Sequence, residues 1–237
     1  MTIRPADLGT VLSIWAHPDD ETYLAGATMA AAVAAGQRVV CVSLTAGERG
    51  TPDPAAWPPE RLGPLRRLEA AAAMAALGVT EHRVLALPDG GLAGLDPAEG
   101  VALVRGLLDE VQPDSTLTFG PDGMTHHDDH IATSRWVTDS WAAHGGPGRL
   151  LHATATAEHQ AAFSARFEEW GVYMTDERPV GTPVTDLALR VVACGAALDQ
   201  KLAALAAMAS QTADVIADDP VLYATMIAEE AFIDATP

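Results

Sequence analysis

Histidine and aspartate gather in two short clusters of this 237-residue chain, and their types suit metal-assisted hydrolysis. The first cluster is Ala16-His17-Pro18-Asp19-Asp20-Glu21. The second holds three of the eight histidines, His126, His127 and His130, within five residues. Neutral imidazole and carboxylate oxygen are ordinary zinc ligands, and a catalytic zinc keeps about three protein ligands with a position left for water. His17 and Asp20 lie three apart at an expected loop-to-helix junction, so they can converge, with His130 as the third ligand. Such a site lowers the pKa of its water toward ~7 and polarises a carbonyl oxygen. A carboxylate that is not a ligand can take the water's proton, and Asp19 is the natural candidate. His127 could stabilise the developing oxyanion or protonate the leaving amine. Asp129 could hydrogen-bond an imidazole and hold its orientation.

Each residue also has a plainer reading. Asp19 or Asp20 could cap a helix, with Glu21 in its first turn. The His126–His130 run could be a solvated polar loop. A lone His17 after a strand would be structural. Occurrence of both clusters after two different strands favours the metal site.

The elements that must position these residues follow an α/β alternation. Val11–Trp15 reads as a buried strand, Glu21–Ala35 as a helix that Gly36 could end, and Val39–Leu44 as a second strand. Residues 47–64 carry too many prolines and glycines for an element and read as a long loop. Leu65–Leu77 is a predicted helix ended by Gly78. Arg83–Leu87 is a strand followed by the turn 88–91. Pro97–Val111 is a helix and Ser115–Phe119 a fourth strand. Further on, Leu151–Thr156 and Val184–Cys194 read as strands and Leu198–Gln211 as an amphipathic helix. Both clusters follow strand carboxyl ends, where open parallel sheets place their ligands. The expectation is one domain over 1–237, with the catalytic motifs within 10–135 and a looser C-terminal third over 150–237.

Composition narrows the class. Lys+Arg is 14 and Asp+Glu 32, a formal charge of −18, with a pI near 4.6. Nucleic acid and anionic membrane both need a basic face, so neither is an expected partner. No stretch approaches the ~18 apolar residues of a membrane span. The opening MTIRPADLGT lacks an apolar signal region, so a cytoplasmic location is expected. Cys41 and Cys194, each in an apolar run, exclude a disulfide framework and suit packing better than reactivity. No G-x-G-x-x-G, phosphate loop or G-x-S-x-G elbow is present.

The paired motifs His17-Pro18-Asp19-Asp20-Glu21 and His127-Asp128-Asp129-His130 resemble the LmbE-like, or PIG-L type, zinc-dependent N-deacetylases. Leu44-Thr45-Ala46-Gly47-Glu48, Arg67-Leu68-Glu69 with Leu77-Gly78-Val79, and Leu87-Pro88-Asp89-Gly90 support the resemblance. It covers roughly 10–135, and the remainder only through Lys201 and Ser210-Gln211. It implies a Rossmann-like α/β fold, a mostly parallel sheet flanked by helices. The implied activity is removal of an N-acetyl group from an N-acetylglucosamine-type conjugate, a small molecule. By position, His17, Asp20 and His130 match the zinc ligands and Asp19 the general base. His127 matches the acid or oxyanion-stabilising histidine, and Asp129 the carboxylate that orients it. Other divalent metals such as iron(II) or cobalt(II) suit the same ligands. Self-association into a homo-oligomer stays open.

Three residues depart from the family pattern. Asp128 stands where proline is usual and, if close, should raise the pKa of His127. Thr125 stands where the mycothiol-pathway branch resembles a Tyr-containing version. Met208 replaces a frequent histidine and reads as core packing. For substrate contacts the candidates are Glu48, Arg49 and Asp89, although Arg49 could pair with surface carboxylates and Asp89 could be a turn residue. Trp57 could stack on a sugar or cover the core. His82, His144, His152 and His159 read as structural or surface. The alternatives to N-deacetylation are an amidase cutting a larger acyl group and a non-catalytic sugar- or metal-binding module. Asp19 argues against the last, since binding alone has no need of a base.

Overall fold

Apolar runs rich in β-branched residues form parallel strands when helical crossovers separate them, and the first half of this chain is built that way. The computed structural model describes residues 3–236. In chain order it has β1 (Val11–Trp15), α1 (Asp20–Ala34), β2 (Val39–Thr45), α2 (Pro59–Leu77), β3 (Glu81–Leu87), α3 (Pro97–Val111), β4 (Ser115–Phe119) and α4 (Asp128–Ala143). There follow β5 (Arg149–Thr154), α5 (Ala157–Glu169), β6 (Leu189–Val192), α6 (Ala196–Ala207), α7 (Ala209–Asp218), α8 (Pro220–Ile227) and β7 (Glu229–Asp234).

The seven strands make one sheet in the order β3-β2-β1-β4-β5-β7-β6. β1 is internal and parallel to both neighbours, with Val11 opposite Val39 of β2 and Ser115 of β4. All residues of β1, β2 and β4 are buried, as a sheet covered on both faces requires. From β1 the chain winds outward to β2 and β3, then returns to place β4 on the other side. The β1/β4 boundary is therefore the switch point, where ligands bind beyond the strand ends. Only β7 runs antiparallel, joining β5 to β6. The α/β architecture expected from the sequence is the one observed.

Several boundaries differ from expectation, each for a physical reason. The loop expected over 47–64 ends at Pro58, because α2 starts with Pro59 in its first turn and carries Pro64 inside. Pro64 is on the exposed side of α2, so the carbonyl it leaves without a partner can meet water. The segment Val184–Cys194 is only a strand over Leu189–Val192, preceded by a 3₁₀ turn over Val184–Asp186. The helix expected over Leu198–Gln211 is broken at Met208 (ψ 50°), which starts α7 and packs in the core at 1% exposure. Cys41 is buried in β2, but Cys194 is exposed rather than packed. The polar run at His126–His130 is not a loop throughout: α4 begins at Asp128. No helix among the described residues is long and apolar enough to cross a membrane.

Candidate active site at the β1/β4 switch point

Two segments meet beyond the ends of β1 and β4. Leaving β1, the backbone turns sharply at Asp19, which holds φ 125°, a conformation a residue with a side chain occupies only under strain. Asp19 occupies the cap position of α1, yet its side chain accepts no capping bond. Its Oδ2 instead lies 3.2 Å from Arg66 Nη2. The capping alternative thus does not describe this carboxylate. Asp20, in the first turn, accepts from the His17 backbone N–H at 2.8 Å, which draws its side chain back over the strand end.

The second segment leaves β4 through Gly123, whose φ of 64° and closeness to His130 exclude a side chain: an added Cβ would lie 2.7 Å from the His130 Cβ. His127 caps α4, its Nδ1 accepting from the Asp129 N–H at 3.1 Å. A neutral His127 ring then carries its proton on Nε2. His130 follows in the first turn, and Phe119 at the end of β4 stacks on its ring at 4.2 Å between centroids.

Three donor groups converge there. His17 Nδ1 lies 3.1 Å from His130 Nε2 and 3.4 Å from Asp20 Oδ2, and His130 Nε2 lies 3.3 Å from Asp20 Oδ1. Ligands about 2.0–2.2 Å from a tetrahedral zinc are separated from one another by about 3.3 Å. The far side of each imidazole is also fixed. His130 Nδ1 donates to the Gly123 carbonyl at 2.9 Å, leaving Nε2 as a lone pair. His17 Nε2 faces the carboxylates of Asp89 at 3.1 Å and Asp129 at 3.3 Å, leaving Nδ1 to point inward. Such outer partners are what metal-binding histidines use to hold tautomer and orientation. Two other donor groups also cluster within 4.8 Å: His17 with His127 and His130, and His17 with Asp89 and Asp129. They fit an ion less well. His127 Nδ1 is occupied by a backbone N–H, while the Asp129 carboxylate already accepts from Gly90 and Leu92 and that of Asp89 from Arg49.

The electrostatics follow from burial and charge together. Burial alone would lower the His17 pKa, but Asp129, Asp20 and Asp89 raise it well above the usual imidazole value. Burial pushes His130 down to about 4. Burial alone would raise Asp20, yet the imidazoles of His130 and His17 hold it below the ordinary carboxylate range. Asp19 is pushed up to about 6 by burial, against the opposing pull of Arg66. His127 is lowered by burial and by the positive charge on His17. Asp128, exposed on the outer side of α4, is not among the groups that shift it. The expectation that Asp128 would raise His127 is therefore corrected.

Other expected residues are placed differently from the sequence reading. The Asp129 carboxylate turns to His17 and not to His127, because the Gly90 and Leu92 N–H groups hold it at 2.7 and 2.8 Å. Asp89 is buried and spends one oxygen on His17 and the other on the Arg49 N–H at 2.6 Å, so it orients the loops more than it offers an acceptor. Glu48 does not line the cleft; its Oε1 accepts from the Asp89 N–H at 3.1 Å. Arg49 does line the cleft, and its guanidinium makes no hydrogen bond among the described residues. Trp57 stands outside the cleft with Arg61 4.2 Å over its ring.

Four residues have a place at the site that the sequence reading did not give them. Arg66 is 4% exposed and reaches from α2 to the Gly47 carbonyl at 2.7 Å, the Pro18 carbonyl and Asp19. Gly47, at φ 60°, must lack a side chain, since a Cβ would lie 2.3 Å from Arg66 Nη1. Glu21 is buried behind the strained turn, accepts from the Asp19 N–H at 3.2 Å and is pushed up to about 8 by burial and by Asp19. His159, read as structural or surface, lines the cleft from α5. Glu21 and Gly47 stand inside motifs quoted from the sequence, while only a polar residue type marked Arg66 and His159.

Comparison with known proteins identifies the family. The family described as GlcNAc-PI de-N-acetylase (PIG-L) matches residues 12–141, more than half of the chain and both clusters. A 1D-myo-inositol 2-acetamido-2-deoxy-alpha-D-glucopyranoside deacetylase from Saccharomonospora viridis is 34% identical over 207 residues, 76% of this chain and 77% of that protein. A second deacetylase of that description, from Catenulispora acidiphila, is 33% identical over 85% of this chain and 79% of its own length. In fold, the chain is similar to the N,N'-diacetylchitobiose deacetylase of Pyrococcus horikoshii, with a TM-score of 0.68 at 22% identity over 97% of this chain and 85% of that one. A matching family domain over both motifs and relatives at this identity lead to one conclusion: the chain belongs to the PIG-L, LmbE-like deacetylase family.

Proposed function

We propose that this protein is a divalent-metal-dependent N-deacetylase acting on an N-acetylglucosamine-type conjugate. The observation that carries the reading is the convergence of His17 Nδ1, Asp20 and His130 Nε2 within 3.1–3.4 Å, with Asp19 and His127 beside them. The relatives, deacetylases of an acetamido sugar joined to inositol, support the substrate class. His17, Asp20 and His130 would hold the metal, and zinc is an ordinary ion for that donor set. When bound, it supplies an acidified water and polarisation of the scissile carbonyl.

The chain's own groups do the rest. Asp19, with a pKa near 6, is ionised at neutral pH and basic enough to take the water's proton as the amide carbon is attacked. Arg66 fixes that carboxylate through Oδ2, which leaves Oδ1 for the proton. His127 presents Nε2–H to the developing oxyanion, in a half-buried site where such a donor acts strongly. The amide nitrogen must gain a proton before it leaves, and Asp19 would return to it the proton taken from water. The products are acetate and a free amine. Arg49, which lines the cleft, would meet the sugar hydroxyls. The sheet runs without a break from the motif-bearing strands to β5, β7 and β6, so one catalytic domain is our reading of the chain.

The test is acetate release from N-acetylglucosamine and its glycosides by the metal-loaded protein, alongside Asp19→Asn and a His17→Ala/His130→Ala double variant. Metal bound at about one equivalent by the wild type and by Asp19→Asn, with acetate released only by the wild type, is expected. A wild type that takes up no metal and releases no acetate would leave a binding module in place of an enzyme.

A further inference from the structure

The cleft has a volume of about 610 Å³, and apart from His159 the residues discussed so far line only one end of it. The other end is built by the C-terminal third, from Phe167, Trp170, Tyr173, Met174, Tyr223 and Met226. A sugar-binding wall offers hydrogen bonds to hydroxyls, and this wall has few to give. Trp170 Nε1 donates to Asp218 at 3.0 Å, and the Tyr173 hydroxyl accepts from Gln160 at 2.6 Å. The Tyr223 hydroxyl donates to that of Tyr23 at 2.8 Å. The acidic residues at this end are engaged too. Glu230 accepts from Lys201 Nζ at 2.7 Å and from the Ala27 and Thr28 N–H groups, while Glu229 accepts from Thr156 and Arg190. Apart from the Tyr173 hydroxyl proton and the Gln160 amide oxygen, what is left to face a ligand is ring surface and thioether.

Contiguous apolar surface left to water marks a binding face, and in this wall Phe167, Trp170 and Tyr173 are half-buried while Tyr223 and Met226 are buried. Met174 is 54% exposed. The wall is also joined to the catalytic end: the Met174 N–H donates to the Thr125 carbonyl at 3.1 Å, just before the His127–His130 motif. A cleft of this size encloses far more than one acetamido sugar, since pockets of about 300–1,000 Å³ hold drug-sized ligands.

We propose that the substrate carries an apolar group of several carbons, alkyl or aryl, which lies against this wall while the amide sits between Asp19 and His127. The inference rests on the deacetylase reading and deepens it. The group belongs either to the acyl side of the amide or to the aglycone of the sugar.

Four probes on the metal-loaded full chain decide it: N-acetylglucosamine, its hexyl glycoside, N-hexanoylglucosamine and N,N'-diacetylchitobiose. The expected result is a kcat/KM at least tenfold above that of N-acetylglucosamine for one hexyl-bearing probe, the glycoside assigning the group to the aglycone and the amide assigning it to the acyl side. Met174→Asp should reduce that preference ratio fivefold or more. Rates within twofold for all four, or a preference for the disaccharide alone, would overturn the inference while leaving the deacetylase intact. If no probe is hydrolysed, the deacetylase reading fails, and calorimetry with the hexyl glycoside then decides the wall. Saturable binding weakened by Met174→Asp would uphold the apolar site, and no binding would overturn it.

Discussion

His17 Nδ1 and His130 Nε2 lie 3.1 Å apart although 113 residues separate them in sequence. Two imidazole nitrogens at that distance, each with its other nitrogen held by an outer partner, address one point in space. Removing either ring should remove the ion. His130→Ala is expected to lose bound metal and acetate release together. Asp19→Asn should keep the metal and lose about 10²–10⁴ in kcat, the usual contribution of a general base. Metal analysis beside steady-state kinetics checks both, and undiminished turnover by Asp19→Asn would remove that residue from the mechanism.

Arg66 ties the strained Asp19 turn to the loop after β2. Arg66→Met would leave the Gly47 and Pro18 carbonyls without that partner, at about 1–3 kcal/mol for each buried group left unpaired. Lysine cannot reproduce the forked geometry, so Arg66→Lys should also lower kcat. Denaturant unfolding and kinetics on both variants test this; a lysine variant equal to wild type in each would show that the fork is dispensable.

The Lys201–Glu230 pair is wholly buried at 2.7 Å and joins α6 to β7 beneath α1. Lys201 also donates to the Tyr23 carbonyl, and Glu230 accepts from the Ala27 and Thr28 N–H groups. Lys201→Met leaves a buried carboxylate without its cation, and a loss of about 3–5 kcal/mol is expected. Lys201→Met/Glu230→Gln should be more stable than Lys201→Met alone, because the unpaired charge is gone. Urea midpoints for the two variants give the comparison directly.

His152, in β5, is held neutral by burial, which lowers its pKa to about 4, and lies 3.0 Å from the Thr138 hydroxyl. Between pH 6.5 and about 4 the unfolded chain binds a proton at this position that the folded chain does not. Stability from this residue is therefore intact above the unfolded value and declines as pH falls through that window. His152→Gln should remove about one proton's worth of that slope. Equal slopes for the two proteins between pH 6.5 and 4.5 would rule out a buried neutral imidazole.

Local sequence determined the parts of this protein that depend on residue type and period. Buried runs such as Val39–Leu44, separated by alanine-rich helical stretches, specify a parallel sheet, and the ends of β1 and β4 then carry His17 and His130. Those candidate ligands were legible because a histidine and an aspartate three apart, and a histidine cluster after a second strand, leave few chemical uses. Tertiary structure alone decided which groups pair across the chain. Nothing local says that Asp129 turns to His17 instead of His127, since that choice is made by the Gly90 and Leu92 N–H groups of a distant turn. Arg66 and Lys201 look like solvated helix cations in sequence, and only packing shows that each is buried against partners from other elements. The apolar end of the cleft was equally hidden. Its residues come from α5, the segment after it and α8, and they form a wall only because the antiparallel β7 returns the chain beside β5.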